Sequence, residues 1–264
     1  MADATFRLIE TLGSVDTILA EDTRVTSKLL ARYEIQAHLE RCDENVIAVR
    51  TPELVERIIG GENIAFVSDA GTPCVSDPGV VLVDAALDAG LHVEVIPGPA
   101  AATSALSVSG LPCHTFYFGG FLPRKAGAKR KALEALRQLD ATLIFYESPH
   151  RTLETFEAIS DALGNRRVVL ARELTKMHEE ILRLPVQDMI AALHERELKG
   201  EVVILVAPAS DNCDATENEI DPEEVAEFIA AQKANGARSK EIARQLSEQF
   251  GIPKNEAYEL VIGA

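Results

Sequence analysis

Two stretches of this 264-residue sequence hold residue types whose chemistry goes beyond packing. The first is Ala65–Pro78, AFVSDAGTPCVSDP. A short apolar run, Ile64–Val67, gives way at once to Ser68, Asp69, Ala70, Gly71, Thr72 and Pro73, and Ser76-Asp77-Pro78-Gly79 follows. Ser, Asp, Gly and Pro at this density continue neither a strand nor a helix. Gly71 permits positive φ or the close approach of another molecule, while Pro73 and Pro78 stiffen the path. The second stretch is basic: Arg124, Lys125, Lys129, Arg130, Lys131 and Arg137. Five of these six fall within eight residues, in a chain of formal net charge −16. A charge run is ordinarily a solvated helix face, but its contrast with the acidic remainder raises an anion-binding role.

The elements that must position these residues follow an α/β rhythm. The first dozen residues are helical in pattern, and Thr17–Ala20 is a short strand running into Glu21-Asp22-Thr23-Arg24. Thr26–Tyr33 and Thr51–Ile59 are expected as helices, with Pro52 near the first turn of the second. The apolar run Ile64–Val67 forms a buried strand, and Val80–Ala89 a helix with Asp77-Pro78 at its start. A glycine-containing loop between strand and helix sits at the carboxyl edge of an α/β sheet, where such sheets bind ligands; an ordinary turn is the competing explanation. His92–Ile96 is expected as the next strand, ending in Pro97-Gly98-Pro99 before AAATSALSVSG, a helix of small residues suited to a ligand contact or to tight helix packing.

From Thr115 the texture changes, with TFYFGGFL before the basic run. Strands are expected at Thr142–Tyr146, Val168–Ala171 and Glu201–Val206, with helices at Leu153–Leu163 and Met189–Glu197. This gives an N-terminal α/β domain over 1–112 and a second over 113–207 with its own sheet. An acidic, turn-forming linker, 208–221, follows. Residues 222–264 make a small module of three short amphipathic helices, either a packing cap or a helix-turn-helix-like unit.

Composition narrows the function classes. A net charge of −16 excludes a nonspecific nucleic-acid binder, which carries a basic surplus, but leaves room for a local basic patch. No apolar run approaches the roughly 20 residues that span a bilayer, and the N-terminus has no basic-then-apolar signal. Cys42, Cys74, Cys113 and Cys213 are scattered without a CxxC pair, as expected of reduced thiols in a cytoplasmic protein. The histidines are scattered too, and no metal site is expected.

Taken together the loops are far more specific than any one of them. AEDTR at Ala20–Arg24, SDAGTPCVSDPG at Ser68–Gly79, PGPAA at Pro97–Ala101, GLP at Gly110–Pro112, GFLPRK at Gly120–Lys125, FYESPHR at Phe145–Arg151 and LARELTK at Leu170–Lys176 occur in this order. The set, spread over roughly residues 3 to 206, closely resembles the ribosomal RNA small-subunit methyltransferase I family of the tetrapyrrole methylase superfamily. The resemblance implies two α/β domains of the tetrapyrrole methylase type, S-adenosylmethionine held between them, and a homodimer. It implies methyl transfer to the ribose 2′-hydroxyl of a decoding-centre cytidine in 16S rRNA of the small ribosomal subunit. On the same basis Gly71, Thr72, Pro73, Cys74, Val75, Ala100 and Ala101 would cradle the methyl donor. Phe145, Tyr146, Leu170 and Ala171 would cover its adenosine part. The chain departs from the family at its start: a strand and glycine loop of pattern TPIGNLxD is expected before Thr5, and only Asp3 matches its end. A missing first strand would expose a sheet edge and thin the wall of the donor site; a misplaced start or a shortened chain would explain it.

Transfer from a sulfonium is an in-line displacement, so positioning supplies much of the catalysis. A ribose hydroxyl needs a proton acceptor. Asp22, Asp69 and Glu147 are candidates, with Glu21 and Asp77 beside them, although each residue also suits a helix cap or an ion pair. Glu173 and Lys176 are weaker candidates. Arg24, Lys28, Arg124, Lys125, Lys129, Arg130 and Arg151 are the candidate phosphate contacts, with Phe116, Tyr117, Phe118 and Phe121 near them as possible base-stacking or core residues. Two alternatives stand beside this. A tetrapyrrole methylase would have an apolar cleft without clustered bases, and a noncatalytic RNA- or ribosome-binding protein would not bind the donor.

Overall fold

The computed structural model describes residues 2–210, 222–234, 237, 239–250 and 254–263. These fall into two compact units, Met1–Ser210 and Asp211–Ala264.

The first unit opens with helix α1, Phe6–Ser14, whose start is capped by the Thr5 hydroxyl accepting the Leu8 amide at 3.1 Å. Strand β1, Thr17–Ala20, is apolar or small throughout and buried at every position. It is central because both its edges are paired, with β2, His38–Arg41, on one side and β3, Ile64–Val67, on the other. Both pairings are parallel, which buries the middle strand on both faces and explains its continuous apolar run. Helices α2, Thr23–Arg32, and α3, Ile47–Ile59, make the crossovers. The helix expected from Thr51 therefore starts four residues earlier, and Pro52 lies inside it. Arg57 on α3 fastens the sheet: it donates to Thr17 at 3.0 Å, Glu40 at 2.9 Å and Glu62 at 2.6 Å, one partner on or beside each strand.

Helix α4, Val80–Asp88, begins behind Gly79 rather than Asp77 and has no side-chain cap. His92–Ile96 does not become the expected strand. Val93 and Val95 alternate in sequence as a strand would, but they are 39% and 72% exposed. Among the described residues β3 pairs only with β1, and no ladder reaches 92–96. Alternation without a hydrogen-bonding neighbour does not make a strand.

Helix α5, Ala101–Ser109, leads to β4, Phe116–Phe121, and α6, Ala126–Glu134. Next come β5, Thr142–Glu147, a 3-10 turn at Pro149–Arg151, and α7, Thr152–Leu163. The remaining elements are β6, Arg167–Arg172, β7, Glu180–Pro185, α8, Val186–Leu193, and β8, Val202–Val206. The five strands form one sheet in the order β4-β5-β8-β6-β7. β4 and β5 run parallel, and the other pairs are antiparallel. One face packs Leu143, Phe145, Leu170 and Ile204 against Phe156, Ile159 and Met189 of α7 and α8. The other packs Ile144, Val169, Ala171 and Val203 against Ala102, Ala105 and Leu106 of α5. The small side chains of α5 thus let it lie close on this sheet.

The second unit holds α9, Pro222–Ala234, α10, Ser239–Phe250, and α11, Lys254–Gly263, around a core of Val225, Ile229, Ile242, Leu246, Ala257 and Val261. Residues 211–221 of the expected linker, Cys213 among them, lie outside the described residues.

Candidate functional site

The register of β1 and β3, Ala20 opposite Val67, delivers Glu21-Asp22 and Ser68-Asp69 side by side at the carboxyl edge of the first sheet. The Glu21 amide donates to Val67 at 3.3 Å and the Asp22 amide to the Asp69 carboxylate at 3.1 Å. Carboxylates that look alike in the sequence part company here. Asp22 caps α2, accepting the Arg24 amide at 2.8 Å and the Arg24 guanidinium at 2.9 Å. Those hydrogen bonds hold its pKa at about 2, too low for an effective base near neutrality. Asp69 is exposed. Burial pushes Glu21 and Asp77 upward, and the neighbouring Asp69 charge adds to both, against a Ser68 hydrogen bond that lowers Asp77.

The loop between Asp69 and Gly79 is wound tightly. The Val75 amide donates to Thr72 at 3.2 Å and the Cys74 amide to Pro78 at 3.3 Å. Cys74 and Ser76 have φ of 70° and 63°, the left-handed region, without being glycine. Such residues cost of order 1 kcal/mol each and collect at ligand sites.

A second wall comes from the other sheet. The Ala102 amide donates to the Tyr146 hydroxyl at 3.3 Å, joining the start of α5 to the end of β5. Ala100 ahead of that helix supplies no side-chain cap, so the other first-turn amides stay available. Tyr146 is packed edge-on by Phe118 and Phe121, ring centres 4.9 and 5.7 Å away, and burial raises its phenol pKa. The walls meet at Gly120: its φ is +58°, and a Cβ there would lie 2.9 Å from the Ser76 hydroxyl. The loop that holds Gly71–Val75, the start of α5 at Ala100-Ala101, and Tyr146 are thereby brought to one end of β4. Phe145 and Leu170 do not join them. Strand alternation turns both into the core shared with α7 and α8, where each is at most 1% exposed, so neither side chain can cover a ligand. Ala171 faces α5 instead.

The basic residues divide too. Arg124 and Lys125 are exposed on the β4–α6 connection and carry no ion pair among the described residues. That connection begins beside the cleft, since Phe121 sits opposite Tyr146 in the ladder. Arg130 is exposed but bonded to Glu134 at 2.7 Å. Lys28 is exposed on α2, and Arg24 is held by Asp22. Lys129 is a correction: it is 1% exposed, with its ammonium on Glu154 at 2.9 Å and Thr155 at 3.2 Å. A cation committed in this way cannot meet a phosphate. Arg151 donates to the Leu122 and Pro123 carbonyls at 2.9 and 3.2 Å, which commits it to the fold. Glu147 is a second correction. It is 3% exposed and accepts from the Ser148 amide and the Thr155 hydroxyl, both at 2.8 Å, so no oxygen is left to act as a base in the cleft.

Sequence reasoning missed Phe118 and Phe121 as partners of Tyr146, and Thr155 altogether. The Gly119-Gly120 pair between aromatic residues marked a close approach of strands, since a Cβ on Gly119 would lie 2.6 Å from the ring of Phe145, the chain neighbour of Tyr146. Glu173 holds Lys176 at 3.0 Å and the Glu201 amide at 2.9 Å, a loop brace rather than a reactive pair.

Residues 1–190 match the family model of the tetrapyrrole (corrin/porphyrin) methylases. A protein of Halalkalibacterium halodurans named ribosomal RNA small subunit methyltransferase I is 41% identical over 267 residues, covering 98% of this chain and 90% of that one. A protein of the same name from Escherichia coli O157:H7 is 41% identical over 265 residues, covering 99% and 91%. The crystal structure of the methyltransferase CobJ superposes with a TM-score of 0.59 at 20% identity, over 79% of this chain and 89% of that one, a likeness of fold.

Proposed function

The chain belongs to the tetrapyrrole (corrin/porphyrin) methylase family, and on that premise we propose that it methylates the ribose 2′-hydroxyl of a decoding-centre cytidine in 16S rRNA of the small ribosomal subunit, in the cytoplasm. The methyl donor is S-adenosylmethionine, which supplies an electrophilic methyl group on a cationic sulfur. The residues present suit it. Gly71–Val75 form a tight loop with two left-handed residues, Ala100-Ala101 are small and uncapped, and Glu21, Asp69 and Asp77 give the mouth a negative potential. Tyr146 closes the opposite wall.

The chain's own part in the reaction is to align the hydroxyl and take its proton. With Asp22 and Glu147 committed elsewhere, the acceptors in this reading are Asp69 and Asp77, and we take Asp77 first because burial and the Asp69 charge raise its pKa. The observation that carries an RNA substrate over a tetrapyrrole is the exposed Arg124-Lys125, without an ion pair among the described residues, one strand-end away from the aromatic mouth. Phosphates bind such cations by counterion release, which makes affinity depend on salt. The relatives at about 40% identity, named for the small-subunit RNA, favour the same choice. A homodimer belongs to this reading, because Phe116, Tyr117 and Phe121 leave 40% to 58% of each residue exposed on an edge strand.

Replacing Arg124, Lys125 and Arg130 with alanine should weaken binding to small subunits at least tenfold. The slope of log affinity against log salt should fall by about 2 to 3, and donor affinity should stay within twofold. An unchanged salt slope would remove the basic mouth from the mechanism.

A further inference from the structure

We propose that Thr155 is a positioning residue: its hydroxyl links two buried charges, and the link fixes the loop that presents Arg124 and Lys125. The proposal rests on the RNA-methylating reading for its purpose, and on a continuous set of contacts for its geometry.

Lys129, on α6, donates to Glu154 at 2.9 Å and to the Thr155 hydroxyl at 3.2 Å. The Thr155 hydroxyl has one proton, and it goes to Glu147 at 2.8 Å. Glu147 takes the Ser148 amide on its other oxygen and lies 3.4 Å from the Arg151 guanidinium. Arg151 in turn donates to the carbonyls of Leu122 and Pro123. Lysine, threonine, glutamate and arginine thus form one chain that begins and ends on the same segment. Lys129 grips it just after the exposed cations, and Arg151 grips it just before them. Arg124 and Lys125 are the exposed charges held between those two grips.

Stability does not require such an arrangement. A buried ion pair is often no better for folding than well-packed apolar residues of similar volume, because desolvation offsets the attraction. Lys129, Thr155 and Glu147 are all at most 3% exposed, so the full desolvation cost applies. What the network supplies that apolar packing would not is directional: each hydrogen bond fixes an angle as well as a distance. A loop that meets a structured RNA with its cations preset loses less entropy on binding.

Thr155→Val keeps the side-chain shape and removes the hydroxyl, whereas Thr155→Ser keeps the hydroxyl and removes a buried methyl. A packing role predicts that Thr155→Ser is the worse variant. The relay predicts the reverse. Two readouts decide between them. In methyl transfer to small subunits, Thr155→Val should raise the KM for the subunit about fivefold or more while kcat and donor affinity stay within twofold, and Thr155→Ser should restore the KM. In limited trypsin digestion of the folded protein, Thr155→Val should be cut after Arg124 and Lys125 several-fold faster than the wild type, and Thr155→Ser at the wild-type rate. Wild-type cleavage of Thr155→Val, or equal loss in both variants, would overturn the positioning role whatever the substrate. Absence of transfer to small subunits by the wild-type protein would overturn the RNA reading, while the trypsin comparison would still judge the loop.

Discussion

At the scale of single residues, the site is a sorting of carboxylates. Asp22, Asp69 and Glu147 follow strands in the sequence and Asp77 closes the glycine loop, and their partners are what separate them. For Asp22 the partner was nearby, since Arg24 two residues on can bond a capping side chain back. For Glu147 it was not legible, because Thr155 and Arg151 meet it only once α7 has turned back over the strand end. Asp77 makes the sharpest prediction. Its pKa is raised by burial and by the Asp69 charge, so the folded protein holds that proton more tightly than the unfolded chain does. Ionised Asp77 therefore costs stability at pH 7, and the cost disappears as pH falls through the raised pKa. Asp77→Asn should raise Tm at pH 7, with the gain shrinking toward acid pH, and should lower kcat by about 10²-fold or more. A lower Tm at pH 7 with kcat unchanged would return Asp77 to the structural residues.

At the scale of elements, apolar strands were legible and charged edges were not. β1, β5, β6 and β8 are apolar runs or nearly so, and each is paired on both sides. β2, with the sequence HLER, and β7, EILRLP, are edge strands that interleave charged residues, and they leave no continuous apolar run. His92–Ile96 shows the opposite failure, alternation with no neighbour to pair with. β3, IAFV, is an uncharged edge, and β4 breaks the habit further. It is aromatic where an edge is usually charged, with Phe116 and Tyr117 45% and 40% exposed. Such an edge invites cover by another chain, and in the proposed homodimer that cover is the second copy. Sedimentation at low micromolar concentration should show a dimer, and Phe116→Ser with Tyr117→Ser should shift it toward monomer. A monomeric wild-type protein would remove the dimer from the account.

At the scale of the whole molecule, charge is divided rather than averaged. The chain carries −16 overall, Glu21, Asp69 and Asp77 gather at one wall of the cleft, and Arg124-Lys125 stand exposed at the flank of the other. In the proposed reading a cationic donor meets the first and a phosphate backbone the second, so the two substrates are oriented by sign. The order of loop motifs made this plan readable, because five of the seven lie at strand ends and strand ends converge. Side-chain direction was not readable from motifs: Phe145 and Tyr146 are adjacent, yet alternation puts one in the core under α7 and α8 and the other on the opposite face against α5. The central claim is the identity of the methyl acceptor. The most direct measurement is to incubate the protein with methyl-labelled S-adenosylmethionine and small ribosomal subunits that lack the modification, then map the label in the RNA by resistance to alkaline cleavage. The account predicts label on one cytidine ribose of 16S rRNA at the decoding centre. Label confined to a base, or no transfer to RNA alongside transfer to a tetrapyrrole, would contradict it.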